Sequence, residues 1–266
     1  MPEGPEITYI SKYITHHFHY HTLHKINIMG GRYKNHGVPS NYKEFVKSLP
    51  LKLTNVAKKG KVLFLYFGEW CLISKLGMTG WWFVPGDEPQ WRKPVNTIIL
   101  EFDNNKLIYT DIRSYGTLSV INDKDLIQKQ LDDIAPDILS NKNEFPEIRE
   151  RIANLSENKK KWLLEDIITD QKTVVSGIGN YLKAEILYAV KISPLRKCKD
   201  VSIEDWKKIY ITGKKIATNM LKLNGTNKYF DSMKVYKKER DPYGNGIVTH
   251  MTKRGRTTWW CPAVQK

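Results

Sequence analysis

A change of hydrophobic period near residue 124 limits this chain more than any other feature. Between Leu51 and Ile121 the apolar residues fall into short β-branched and aromatic runs: Val62 to Phe67, Cys71 to Leu76, Thr97 to Phe102, Leu107 to Thr110 and Thr117 to Ile121. Short strands at this spacing predict a sandwich or barrel, with Asp103-Asn104-Asn105-Lys106 as a hairpin turn between two of them. Beyond that point the period becomes helical. Trp162, Leu163, Leu164, Ile167 and Ile168 share one predicted helix, and Leu182, Ile186, Leu187 and Val190 another. Asp133-Ile134-Ala135-Pro136-Asp137 reads as the segment between the two halves, because proline stops or starts a helix there. Ile7, Ile10, Ile14 and Phe18 predict a further amphipathic helix over residues 3 to about 20. Tyr243-Gly244-Asn245-Gly246 followed by Thr257-Thr258-Trp259-Trp260 predicts a terminal hairpin.

The 266 residues, 41% of them hydrophobic, are enough for one large domain or two ordinary ones. A formal net charge of +15 predicts attraction to a polyanion, nucleic acid being the commonest. Residues 221 to 266 concentrate it, with ten Lys/Arg against three acids. No apolar run approaches the roughly 18 residues of a membrane span, and no basic-then-apolar leader opens the chain. A soluble, intracellular protein without a membrane partner is expected. Cys71, Cys198 and Cys261 lie too far apart in sequence to indicate a disulfide framework.

Met1-Pro2-Glu3-Gly4-Pro5-Glu6 admits two readings. Proline and acids in a first turn are ordinary helix-start chemistry. Alternatively, aminopeptidase removal of Met1 leaves Pro2 with a free secondary amine beside two carboxylates, a nucleophile next to candidate acids. Ser176-Gly177-Ile178-Gly179-Asn180-Tyr181 fails as a dinucleotide fingerprint, since Leu182 occupies the third glycine position. As a glycine-rich turn entering a helix it reads either as a phosphate cradle, with Asn180 as an added donor, or as a plain helix-to-helix turn. His16, His17, His19, His21 and His24 invite a metal reading through the one-turn spacing of His17 and His21. No carboxylate or thiol accompanies them at ligand spacing, so an exposed helix end explains them better.

Taken in order along the chain, these motifs resemble the formamidopyrimidine/endonuclease VIII family of DNA glycosylases. Pro2 to Glu6 is similar to the family's opening, and Lys59-Gly60-Lys61 to its Gly-Lys before a strand. Ser74 to Gly80 and Asp111 to Gly116 resemble its two damage-probing loops. Gly177 to Tyr181 resembles its helix-two-turns-helix, and Gly255-Arg256-Thr257-Thr258 the tip of its C-terminal finger. One departure concerns metal. The family's finger usually binds zinc through two Cys pairs, whereas this chain ends Cys261-Pro262-Ala263-Val264-Gln265 with no upstream pair. That resembles the zincless-finger subgroup of endonuclease VIII-like proteins, of vertebrate or giant-virus type, with Cys261 left to pack as a small apolar residue.

The resemblance implies an α+β multidomain fold. An N-terminal helix and β-sandwich, residues 1–130, would carry catalysis; a helix-two-turns-helix DNA-binding domain, 131–266, would end in a zincless finger at about 234–266. It implies a monomer without metal or cofactor, acting on damaged DNA in nucleus, cytosol or a viral replication site, with the active site in the cleft between domains. The activity implied is that of a bifunctional glycosylase and AP lyase removing oxidised pyrimidines and hydantoins by β,δ-elimination. Pro2 would attack C1′. A generic α-amine is roughly a quarter neutral near neutral pH, against about a thousandth for lysine; the first helix's positive end and Lys61, if near, would make Pro2 more so. Glu3 would protonate the sugar ring oxygen, Glu6 would be a second proton-transfer candidate, and Lys61 would hold a phosphate or the opened sugar. Met78, Arg113 and Tyr115 match positions that fill the void behind a flipped nucleotide. Asn180 and Arg256 match the pair gripping the flanking phosphates, and 234–240 a loop over the flipped base. The alternative is a non-catalytic binder of damaged or single-stranded DNA on the same scaffold.

Overall fold

The computed structural model describes residues 2–88, 96–224, 226, 228–253 and 255–266. Met1, on whose removal the terminal amine depends, and Arg254 of the basic C-terminal stretch lie outside the described residues. The chain divides into two compact units: Pro2 with Glu6–Asp132, and Glu3–Pro5 with Asp133–Lys266.

In the first unit, α1 (Gly4–Phe18) is followed by β1 (Thr22–Ile28), α2 (Arg32–His36), α3 (Tyr42–Lys47), β2 (Leu51–Lys52) and β3 (Asn55–Lys59). Then come β4 (Val62–Phe67), β5 (Trp70–Lys75), β6 (Trp81–Phe83), β7 (Asn96–Phe102), β8 (Lys106–Thr110), β9 (Thr117–Ile121) and α4 (Lys124–Asp132). The strands make an antiparallel β-sandwich, one sheet ordered β2-β1-β7-β8-β6 and the other β3-β4-β5-β9. Ile7, Ile10, Ile14 and Phe18 of α1 are fully buried in one core with Leu65, Phe67 and Leu100. All five predicted strands are present, and Phe102 N donates to Asn105 O at 2.9 Å, closing the expected hairpin. The short or polar strands β1, β2, β3 and β6 carry weaker patterns and lie outside the predicted runs.

The first helix stops at Phe18, because Tyr20 adopts a left-handed φ of 66°. His21 is therefore off the helix, and the one-turn spacing with His17 does not exist. His21 Nδ1 lies 2.8 Å from Asp103 Oδ1, and His19 Nε2 lies 3.0 Å from Thr54 O. Among the described residues no three His, Cys, Asp or Glu side chains gather as a metal site.

The second unit contains α5 (Phe145–Ala153), α6 (Glu157–Lys160), α7 (Leu164–Thr169) and α8 (Asn180–Ala189). After a 3-10 turn at Cys198–Asp200 come α9 (Ile203–Leu223), α10 (Lys228–Asp231) and the hairpin β10 (Val248–Met251) and β11 (Thr257–Trp260). Trp162 and Leu163 precede α7, since Leu163 is extended and bridged to Lys197. The boundary between the two units falls at Asp132/Asp133, where the inter-domain segment was expected, and the residues after it are packed into the second unit. Residues 134–138 are buried, Ala135 N donates to Gln171 O at 2.9 Å, and Ser176 Oγ donates to Ala135 O at 2.7 Å. Cys261 is fully buried beside Ala184, Tyr188 and Val235, packing as a small apolar residue. No helix among the described residues is long and apolar enough to cross a membrane.

Candidate functional site

The glycine-rich turn before α8 is shaped by Gly177, whose φ of 89° excludes ordinary side chains. Gln171 supports it from below: its Oε1 accepts from Gly177 N at 2.8 Å, and its Nε2 donates to Ile178 O at 3.0 Å. Gly4 N donates to Gly177 O at 2.7 Å. The amides beyond the turn are already engaged. Glu3 Oε2 accepts from Gly179 N at 2.7 Å and Leu182 N at 3.2 Å, and Oε1 from Tyr181 N at 2.9 Å. The phosphate-cradle reading of these amides is thus corrected, because the anion at the positive end of α8 is the protein's own carboxylate. Glu3 is 1% exposed and fixed by three donors. Pro2, joined to it by a peptide bond, is buried. Glu6, 7% exposed, lies in the first turn of α1. Lys61 is half-buried in the turn from β3 to β4, following Gly60 at φ 56°.

Met78, Arg113 and Tyr115 come from two loops knitted into one surface. Thr79 Oγ1 donates to Asp111 Oδ1 at 2.5 Å and accepts from Arg113 N at 3.1 Å. The other Asp111 oxygen accepts from Gly116 N at 2.6 Å. Gly77 makes the approach possible: its φ is 62°, and a Cβ there would stand 2.7 Å from Gly116 N. Arg113 Nη1 reaches Met78 Sδ at 3.6 Å. Tyr115 is 60% exposed and Met78 39%, so an apolar side chain, a guanidinium and a ring stand out together from a braced support. The bracing pair Thr79 and Asp111 was missed from sequence, although both lie inside the motifs singled out.

The hairpin presents Arg256, exposed, beside Gly255 at φ 68°. Asn180 Nδ2 donates to Thr257 O at 2.7 Å, bringing the start of α8 to the residue after Arg256. Before the hairpin, Glu185 accepts from three successive amides, Lys234 at 2.9 Å, Val235 at 3.0 Å and Tyr236 at 2.8 Å. Burial pushes the Tyr236 hydroxyl up to about 12, and the charge of Glu3 acts in the same direction. The finger's residues do not fit a zinc ion. Its one cysteine, Cys261, has Asp241 Oδ2 3.9 Å from its sulfur, and Cys71 and Cys198 are buried elsewhere with thiols pushed up by burial to about 12 and about 11.

Three family models match in chain order: the N-terminal domain of formamidopyrimidine-DNA glycosylase over residues 1–118, its H2TH domain over 134–231 and its C-terminal domain over 222–266. A formamidopyrimidine-DNA glycosylase of Ureaplasma parvum is 27% identical, covering 100% of both chains. One from Bdellovibrio bacteriovorus is 30% identical over 80% of this chain and 82% of its own length. In fold, the chain is similar to Lactococcus lactis formamidopyrimidine-DNA glycosylase bound to AP-site DNA, at a TM-score of 0.83 and 23% identity over 99% of each chain. It is equally similar to MutM with DNA containing carbocyclic 8-oxo-G, at 0.82 and 23% over 100% of each. Those structures share the N-terminal β-sandwich and the C-terminal H2TH arrangement. Successive domain models spanning nearly the whole sequence and a 30% identical relative agree on one assignment, and the chain belongs to the formamidopyrimidine-DNA glycosylase family.

Proposed function

We propose that this protein is a DNA glycosylase and AP lyase of base excision repair, and that its reaction runs through the amine of Pro2. The observation that carries the reading is the lock on Glu3, three backbone donors at 2.7, 2.9 and 3.2 Å around one buried carboxylate. A nucleophile must be held within a fraction of an ångström of its path, and locking the adjacent residue restricts where the proline nitrogen can stand. With Met1 removed, that nitrogen attacks C1′ of the flipped nucleotide; the C1′–N bond to the base breaks and the base departs with its electron pair. The C1′–O4′ bond then opens, its electron pair taking a proton at the ring oxygen while the proline nitrogen's lone pair forms the C1′=N iminium. The proline proton lost on attack and the proton gained by the ring oxygen are exchanged through carboxylates, Glu3 adjacent and Glu6 one turn on. The resulting iminium acidifies C2′, and β- then δ-elimination expels the two phosphates. Lys61 holds the opened sugar or a phosphate. Met78, Arg113 and Tyr115 fill the void, and Arg256 with Asn180 grips the backbone beside it. The partner is damaged DNA, bound by a monomer.

The finer assignment, to the zincless endonuclease VIII-like subgroup with preference for oxidised pyrimidines and hydantoins, is supported by a finger lacking zinc ligands. Borohydride added during turnover of an oxidised-pyrimidine duplex tests the nucleophile. The expected result is a protein–DNA cross-link mapping to the N-terminal peptide, abolished when Met1 is retained or a tag precedes it. A cross-link on Lys61, or trapping undiminished by N-terminal extension, overturns the assignment. A protein that binds the duplex and is never trapped is the non-catalytic binder.

A further inference from the structure

Three polar side chains that catalysis does not use are buried beneath the hairpin. Glu165 on α7 is 0% exposed, Lys183 on α8 is 1% and Thr258 on β11 is 1%. Lys183 Nζ donates to Thr258 Oγ1 at 2.6 Å, and the same hydroxyl donates to Glu165 Oε2 at 2.6 Å. The second carboxylate oxygen receives no hydrogen bond from the described residues; His250 Nε2 stands 3.1 Å from it, near enough for a charge contact. Thr258 and His250 are cross-strand partners in the hairpin. One carboxylate therefore meets both strands at the same level. Burying such groups is expensive and seldom adds net stability, whereas a buried chain of hydrogen bonds accepts one geometry and rejects shifted ones. We propose that the Lys183–Thr258–Glu165 chain is a polar clasp that fixes the hairpin on α7 and α8, and that it sets the position of Arg256. Arg256 lies two residues before Thr258, immediately ahead of β11, so a slipped register of that strand would carry the guanidinium with it. The charges facing the clasp agree with a strained site. Burial pushes the Lys183 amine down to about 8 against the pull of Glu165, Glu3 and Asp166, with Arg256 adding to the depression, and burial likewise raises Glu165.

The link to DNA rests on the reading of Arg256 as a phosphate contact; the clasp itself does not. Thr258→Val keeps the shape and removes the bridging hydroxyl. Amide exchange at 257–260 should then accelerate while α9 is unchanged, and affinity for a duplex carrying a tetrahydrofuran abasic analogue should fall about tenfold. In an Arg256→Ala background the same change should cost nothing further, because it acts through that side chain. Thr258→Ser should restore both readouts. Wild-type exchange in Thr258→Val overturns the clasp, and fully additive losses in the double variant overturn its action through Arg256. If Arg256→Ala alone binds as wild type does, the phosphate reading and the second half of the proposal fail together, while exchange still decides the first half. Should Thr258→Val not fold, Lys183→Met breaks the chain at its other end while keeping the apolar stem: faster exchange at 257–260 supports the clasp, and unchanged exchange overturns it.

Discussion

Glu3 concentrates two demands on one side chain. Its oxygens take N–H bonds from Gly179, Tyr181 and Leu182, and the mechanism asks the same carboxyl to assist proton transfer at the sugar. Glu3→Gln separates these demands imperfectly, since an amide must point its own N–H₂ at one of the donors. The substitution should destabilise the protein by about 1–3 kcal/mol, the cost of a buried donor left unpaired. It should also slow base removal more than cleavage of a preformed abasic site, because ring-oxygen protonation matters most while the base is attached. Single-turnover rates on the two substrates, taken well below the melting temperature, check this; equal slowing would mean that Glu3 only positions Pro2. The sequence placed Glu3 beside the proline but could not show its partners, which lie some 176 to 179 residues away along the chain.

At the scale of elements, legibility followed burial on both faces. β4, Val62–Phe67, was read to the residue because an uninterrupted β-branched and aromatic run has few other uses. β3 was missed: Asn55, Lys58 and Lys59 give no alternation, and its pairing with β4 is what makes it a strand. The 21-residue α9 was legible and overlooked. Ser202 caps it through Asp205 N, and Trp206, Ile209, Tyr210, Gly213, Ala217 and Met220 mark a helical stripe. Lys183 was passed over because a lysine in an apolar helical run reads as snorkelling, and Thr258 gave no sign of being its partner. The probing loops were legible as motifs but not as a joined pair. Their junction is Gly77, where a methyl group would collide with the Gly116 amide at 2.7 Å on a backbone of φ 62°. Gly77→Ala should cost more than about 1 kcal/mol of stability. It should also reduce excision from duplex more than from single-stranded DNA, where no void has to be filled. Matched losses on both substrates would remove Met78, Arg113 and Tyr115 from that role.

For the whole molecule, both units carry protons that the unfolded chain would release at alkaline pH. Burial raises Cys71 in the first unit from 9.0 to about 12 and Cys198 in the second from 9.0 to about 11. A group raised on folding contributes stability that is complete below its unfolded value and is lost as pH climbs towards the folded one, so both thiols act against the fold from about pH 9 upward. Lys183 has the opposite sign. Depressed from 10.5 to about 8, it penalises the folded state fully below pH 8, and the penalty is relieved between 8 and 10.5 as the unfolded chain holds the extra proton. The second unit should therefore gain stability between pH 8 and 9, where Lys183 acts alone, and hold it just above 9, where the slopes of Lys183 and Cys198 cancel, while the first unit declines from about pH 9. Calorimetry across pH 7.5 to 10.5, a span set by these values, reads the slopes directly. Cys71→Ala with Cys198→Ala should flatten the decline, whatever the double substitution does to absolute stability. Lys183→Met should abolish the second unit's gain between pH 8 and 9 and start its decline at about pH 9, because nothing then opposes the Cys198 slope. Slopes identical to wild type in both variants would show that these buried groups exchange their protons no differently in the folded and unfolded chain.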